Sequence, residues 1–345
     1  MGRLPAFSIA EAETARSQIK ERLALFSGQQ SEDVFLFPSG MAATFAVHQM
    51  LTALRPQQKT VQLGFPYVDV LKVQQFFGHG VHEFHVMNAE AYAALGCIAR
   101  TETLAAVFSE VPTNPLLQCA DFARVRSLVG TTPLVLDDTV GSVVNVDVFR
   151  VADAVTTSLT KAFSGAGDVL AGSLILNRNS PHYPEFAKWM REHNDHDLFG
   201  ADAIALEHNS RDFAARACTM SRNSVGLYEY LSRHEKVERV WHSINEGGVG
   251  YQALQRIESA HGCLFSFVLR ERERTPAFYD ALAVCKGPSL GTNFTLVCPY
   301  TLLAHYDELD WAARCGVPRE LIRVSAGLEP LEDLIARFEQ ALSVV

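Results

Sequence analysis

Cysteine is sparse and scattered in this chain. Seven cysteines (Cys97, Cys119, Cys218, Cys263, Cys285, Cys298 and Cys315) occur in 345 residues, none of them in C-x-x-C spacing. An odd, unclustered set offers neither a disulfide framework nor a zinc site, so the thiols read as reduced and no metal is expected. Basic charge is also short: 30 Lys and Arg stand against 39 Asp and Glu, a formal net charge of -9, and no cationic stripe is present. That balance argues against nucleic-acid and anionic-membrane partners, both of which need clustered positive charge. The opening residues MGRLPAFSIAEAETARSQIKERL lack the apolar core of a signal peptide, and no apolar run is long enough to span a bilayer. A cytoplasmic location is therefore expected. Ala6 stands where a myristoylation signal needs Ser or Thr. Internal repeats, low-complexity tracts and Pro/Gly-rich linkers are absent as well.

The remaining composition, 48% hydrophobic and 20% charged, is that of a globular chain large enough for one large domain and a smaller one. Short β-rich runs, VQLGF (61–65), VHEFHV (81–86), LAAVFSEV (104–111), PLVLDDT (133–139), AVTTSLT (154–160) and GSLILN (172–177), alternate with helical patterns. This alternation predicts βαβ units and an α/β fold with a largely parallel sheet. Glu110, Asn114, Asp137, Asp138 and Lys161 fall where the predicted strands end, the edge at which open α/β sheets bind ligands. From about residue 226 helices dominate, with strands expected at LFSFVLR (264–270), FTLVC (294–298) and LIRVSAG (321–327) before an amphipathic helix at 332–342. The expected division is a short N-terminal segment (1–30), a large domain (31–225) and a smaller C-terminal domain (226–345), with the boundary inside a helix around 214–235.

Four segments carry chemistry. Lys161 follows a strand and precedes the glycine-punctuated turn AFSGAGD, with Ser158 and Thr160 beside it. That setting suits an imine with a carbonyl cofactor, although lysine most often simply faces solvent. In PSGMAATF (38–45), Ser39 and Gly40 precede a helix, whose free amides and positive dipole end would hold a phosphate; the same pair also serves as a plain cap. LVLDDTVGS places Asp137 and Asp138 after an apolar strand, where a buried acid calls for a cation such as a protonated pyridine nitrogen. A solvated turn is the alternative. Arg323, inside the apolar run LIRVSAGLE, reads either as a bidentate clamp for a carboxylate or as an edge residue snorkelling to solvent. Asn114 sits in the turn VPTNPLL, which turn chemistry alone would also explain.

Taken in order, FLFPSGMAA, GFPYVDVLKV, SEVPTNPLL, LDDTVGS, SLTKAFSG, HNSRDFAAR, KGPSLGTNFTL, LAHYDELDWAA and LIRVSAGLE resemble the Cys/Met-metabolism family of pyridoxal-phosphate enzymes, in particular its fungal cystathionine γ-synthase-like branch. The resemblance implies fold type I, the aspartate aminotransferase-like architecture, with pyridoxal 5'-phosphate as cofactor. It implies that Lys161 is the Schiff-base lysine and Asp137 the partner of the pyridine nitrogen. Ser39, Gly40 and Met41 match the phosphate cradle, and Ser158 and Thr160 its hydroxyl donors. Phe65 matches the ring-stacking aromatic by segment length, and Tyr67 of the same run is the second candidate. Asn114 matches the asparagine near the cofactor's phenolic oxygen and the substrate. Arg323 matches the carboxylate-binding arginine, with Ser289 close to it.

Two departures accompany these matches. The family reaches the neighbouring subunit's phosphate with a Tyr-x-Arg motif; here the aligned stretch is Met1-Gly2-Arg3, which leaves Arg3 for the arginine's role and no tyrosine. Phe294 stands where many relatives have Glu. The resemblance implies γ-replacement on an O-acyl-L-homoserine through a vinylglycine-type ketimine, with a thiol or carbon nucleophile. The alternatives are γ-elimination to a 2-oxo acid and ammonia, or a cofactor-binding homologue impaired in catalysis. A homodimer or homotetramer with shared sites, acting on a small amino acid, is the implied assembly.

Overall fold

The computed structural model describes residues 7–194 and 197–345. Among the described residues, twelve strands form two sheets. The first holds β1 (Val34–Phe37), β2 (Lys59–Leu63), β3 (Val81–Phe84), β4 (Leu104–Glu110), β5 (Leu134–Asp137), β6 (Ala154–Ser158) and β7 (Gly172–Leu176), in the order β1-β7-β6-β5-β4-β2-β3. The run from β6 to β3 is parallel, whereas β7 is antiparallel to both β6 and β1. The second holds β8 (Val237–Trp241), β9 (Leu264–Leu269), β10 (Cys285–Lys286), β11 (Leu296–Pro299) and β12 (Ile322–Ser325), in the order β10-β11-β12-β9-β8.

The first sheet is covered by helices on both faces, and its strands are apolar because of it. Side chains alternate across a strand, so on β4 Val107 joins the helices Ile9–Ser27, Ala89–Thr101 and Gly200–Asn209. Its neighbours Ala106 and Phe108 pack on the opposite face with the helices Gly40–Leu54 and Tyr183–His193. Ser8 and Glu11 form a reciprocal cap at the start of the first helix, and Gly28 ends it at φ 72°.

The second sheet alternates in the same way. Phe265, Phe267, Ile322 and Val324 pack against the helices Phe213–Ser232 and Leu331–Leu342, and Leu264 and Val268 pack with Phe65, Leu116 and Val140 of the first sheet's loops. Arg323, between Ile322 and Val324, therefore projects to the side that meets the first sheet. Its strand has neighbours on both edges, Cys298 opposite on β11 and Ser266 on β9. A central, 4% exposed position removes the snorkelling alternative.

Strand positions match the predicted runs with ends shifted by a few residues. Three strands were not anticipated. VFLF (β1) is four apolar residues and CK (β10) only two, both too short for periodicity to classify, and VERVW (β8) lies in a stretch read as helical.

Gly172 of β7 sets how closely that strand approaches the turn before the helix Gly40–Leu54. A Cβ there would lie 2.2 Å from the Ser39 carbonyl oxygen and 2.7 Å from the Gly40 nitrogen, both backbone atoms. Gly172→Ala is expected to cost about 1–3 kcal/mol by overpacking, read as a lower thermal midpoint. Gly287→Ala, whose Cβ would meet only Leu296 Cδ2 at 3.6 Å, should change stability by less than about 0.5 kcal/mol.

Candidate active site

The carboxyl ends of β4, β5 and β6 open onto a cavity of about 550 Å³ whose other wall comes from the second sheet. At one side the helix Gly40–Leu54 begins. The Ser39 hydroxyl caps it by accepting the Ala42 amide at 3.1 Å, so the cap reading is correct as far as it goes. The amides of Gly40 and Met41 have no acceptor within the helix, and both residues line the cavity. Gly40 also lies against Ser158: an added Cβ would meet the Ser158 Cβ at 2.8 Å and its Oγ at 3.2 Å. The Ser158 hydroxyl makes no hydrogen bond among the described residues. That of Thr160 donates to the Ala171 carbonyl at 3.2 Å and accepts the Ala171 amide at 3.0 Å, so Thr160 also ties its turn to the chain leading into β7.

Lys161 stands three residues beyond the end of β6, in a turn closed by Gly165 N–H to its carbonyl at 2.8 Å. Its Nζ donates to Ser289 Oγ at 3.0 Å. Burial, and then the nearby Arg323 charge, hold this amine below its ordinary pKa. Arg323 Nη1 donates to Asn114 Oδ1 at 3.2 Å and Nη2 to the Ser289 carbonyl at 3.0 Å. Its guanidinium lies over the Tyr300 ring, 4.9 Å from the centroid. Neither Lys161 nor Arg323 forms an ion pair among the described residues. Asn114 Nδ2 completes the link by donating to the Tyr300 hydroxyl oxygen at 3.3 Å.

Of the two acids, Asp137 lines the cavity and Asp138 does not. Asp137 Oδ1 accepts the Thr139 amide at 2.8 Å; burial raises its pKa, and the Thr139 hydrogen bonds oppose that rise. Asp138, 1% exposed, is bonded to the Thr157 hydroxyl and is pushed up to about 7, mainly by burial.

The two aromatics of the GFPYVD run are placed differently. Phe65 is 2% exposed and off the cavity wall, its ring 4.8 Å from that of Trp311 and 5.1 Å from that of His305. Gly64, at φ 76°, turns the chain after β2 so that Phe65 enters the core and Tyr67 reaches the wall. Arg3 lies outside the described residues. Phe294 borders a second hollow beside Lys161 with Leu170 and Leu296.

Three wall residues had no assigned role in the sequence reading. Glu110, noted only as a strand end, is buried and pushed up to about 8 by desolvation and then by the Asp137 charge, against two amides that favour its charged form. Tyr300 and His305 also line the cavity. Their signal was faint: Tyr300 opens, and His305 follows, a five-residue helix after an apolar strand.

A family model for the Cys/Met metabolism PLP-dependent enzymes matches residues 12–343. The chain belongs to that family. Among curated relatives, the cystathionine gamma-synthase of Neurospora crassa is 40% identical, covering 91% of this chain and 52% of that protein. The cystathionine gamma-synthase-like enzyme iboG1 of Amanita muscaria is 38% identical, over 90% of this chain and 56% of its own length. The chain thus spans about half the length of these relatives. Among solved structures, the apo form of CalE6, a methionine gamma lyase from Micromonospora echinospora, superposes with a TM-score of 0.81 at 25% identity, covering 99% of this chain and 89% of that one. This likeness places the large sheet and the smaller second sheet in fold type I. No helix among the described residues is long and apolar enough to cross a membrane.

The family's cofactor is pyridoxal phosphate, and the cavity's chemistry fits it. Two helix-start amides suit an anion, an acid without a cation partner suits a protonated ring nitrogen, and an amine of lowered pKa suits a carbonyl. A pH titration tests the amine directly. Modification of Lys161 by an amine-directed reagent, followed by peptide mass spectrometry, should show a midpoint below that of exposed Lys188 in the same chain. Arg323→Met should raise the Lys161 midpoint, because removing a like charge favours the protonated amine. Equal midpoints for Lys161 and Lys188 would contradict the assigned environment.

Proposed function

We propose that the chain catalyses γ-replacement on an O-acyl-L-homoserine with pyridoxal 5'-phosphate as cofactor. The observation that carries the reading is the convergence of Lys161, Asp137, the Gly40–Met41 helix start and Arg323 on one cavity. Relatives named as cystathionine gamma-synthases support it.

In this reading the amides of Gly40 and Met41 and the Ser158 hydroxyl hold the phosphate, and Thr160 joins them by exchanging its bond to Ala171. Asp137 accepts a hydrogen bond from the ring nitrogen and keeps it protonated, which also offsets the cost of the buried acid. Tyr67 covers one ring face. Lys161 Nζ carries the covalent attachment. Once bound, the cofactor supplies an electron sink that acidifies the substrate's Cα–H.

Arg323 binds the substrate carboxylate through its guanidinium N–H groups, and Asn114, already bonded to it, fixes the guanidinium plane. That orientation holds the Cα–H bond toward Lys161. Freed by the incoming amino group, the Lys161 amine would take the Cα proton, pass it on to the electron sink that the bound cofactor supplies and so become neutral again, and then take a Cβ proton as the acyloxy group leaves from Cγ with the bonding pair. Its lowered proton affinity leaves more of it neutral than an ordinary lysine at a given pH, as a base requires. Ser289 Oγ positions Nζ between these carbons. The entering nucleophile would add at Cγ, Lys161 would return its proton to Cβ, and the proton passed on earlier would then come back through the same amine to Cα. The assembly proposed with this chemistry is a homodimer or homotetramer with shared sites.

The test crosses acetyl, succinyl and phosphoryl homoserines with thiol and carbon nucleophiles and identifies products by mass spectrometry. A γ-substituted amino acid formed only with a nucleophile present is expected. A 2-oxo acid and ammonia formed without one would replace this reading by γ-elimination. Lys161→Ala should lose at least about 10²–10⁴-fold in rate. Arg323→Met should lose more than about tenfold in kcat/KM, mainly through KM.

A further inference from the structure

Glu110 is the one acid on the cavity wall that the proposed chemistry leaves without a task. It ends β4 directly beside Asp137 of β5, its register partner, and is 9% exposed. Its carboxyl oxygens are divided between two turns. Oε1 accepts the amide of Tyr67 at 2.5 Å, and Oε2 accepts the amide of Asn114 at 3.3 Å. Tyr67 precedes the helix Val68–Phe77, which has no side-chain cap of its own. Asn114 lies four residues downstream of Glu110 and holds Arg323. No other side chain among the described residues bonds to the amides of both turns.

We propose that Glu110 is a positioning residue that clamps the Tyr67 turn and the Asn114 turn to the end of β4, so that one carboxyl sets both the aromatic wall and the carboxylate-binding arginine. The geometry explains why a buried acid is tolerated beside a second acid. Burial and Asp137 both oppose its charge, and a protonated carboxyl still accepts on both oxygens. The clamp does not depend on ionisation. It rests on the functional reading only for its effect on substrate and cofactor; the coupling of the two turns stands without it.

The first arm of the test therefore omits the cofactor. Amide hydrogen exchange is followed in residues 66–72 and 112–118 of the full chain for the wild type, Glu110→Ala and Glu110→Gln. Glu110→Ala should speed exchange in both segments together by about tenfold or more, with other segments unchanged. Glu110→Gln keeps one carbonyl acceptor and turns an amide group toward the other N–H, so it should loosen one segment alone. Exchange within about twofold of wild type in both segments of folded Glu110→Ala would overturn the clamp.

The second arm uses cofactor-loaded protein. Glu110→Ala should weaken the visible circular dichroism of the bound ring and raise the amino-acid KM by about tenfold, with a smaller change in kcat. Combining it with Asn114→Ala should add little to KM, because both changes release the same arginine. Full additivity would overturn the link from Glu110 to Arg323. Failure of the wild type to take up the cofactor would sink the functional reading and leave the exchange arm to judge the clamp.

Discussion

Two cations from different sheets, Lys161 and Arg323, meet in one cavity with no acid between them. Like charges in a partly buried space repel, and proteins ordinarily avoid that by interposing a carboxylate. Here the two are separated only by Ser289, whose hydroxyl takes the Lys161 amine and whose carbonyl takes the Arg323 guanidinium. Burial, and then this repulsion, depress the lysine's proton affinity, and the arginine's charge meets no acid among the described residues and is open to a ligand. The missing carboxylate contributes to both properties. A carboxylate at either position would quench the amine's basicity or fill the anion site.

The acids of the cavity lie at the ends of β4 and β5. Asp137 and Glu110 are adjacent in register, so they also repel, and both are held above their ordinary pKa values. The cavity thus holds two like-charged pairs, one of bases and one of acids. A zwitterionic guest with an anionic carboxylate and a cationic ring would relieve both repulsions together. A singly charged guest would relieve only one.

Much of this was legible in the sequence because parallel strands end in polar residues for a reason: the last residue of a buried strand is the first that reaches the crevice. Lys161, Asp137 and Asn114 were found that way. The choice between neighbours was not legible. Asp137 and Asp138 differ only in which face of the strand end they take, and Gly64 decides between Phe65 and Tyr67 by adopting a left-handed φ that a one-dimensional pattern does not specify. Glu110 was visible as a strand end, but its partners are main-chain amides, which carry no residue-type signal. Arg323 stayed open between a clamp and an edge residue because strand order is a tertiary fact; only the neighbours β11 and β9 make it central. The strands β1 and β10 were missed for lack of length, and β8 because it lies in a stretch read as helical.

The close approach at Gly172 links this electrostatic arrangement to the backbone. With Ser39 O within 2.2 Å of where its Cβ would sit, β7 must carry glycine for the helix Gly40–Leu54 to begin where it does. The antiparallel pairing of β7 with both β1 and β6 brings this about: β1 delivers the chain to Ser39 just as β6 delivers it to Ser158, and β7 holds the two ends side by side. A fully parallel sheet would need a crossover between those strands and would separate the helix start from the lysine turn. The one departure from the expected parallel order is therefore the feature that puts the anion-binding amides and the reactive amine on a common wall.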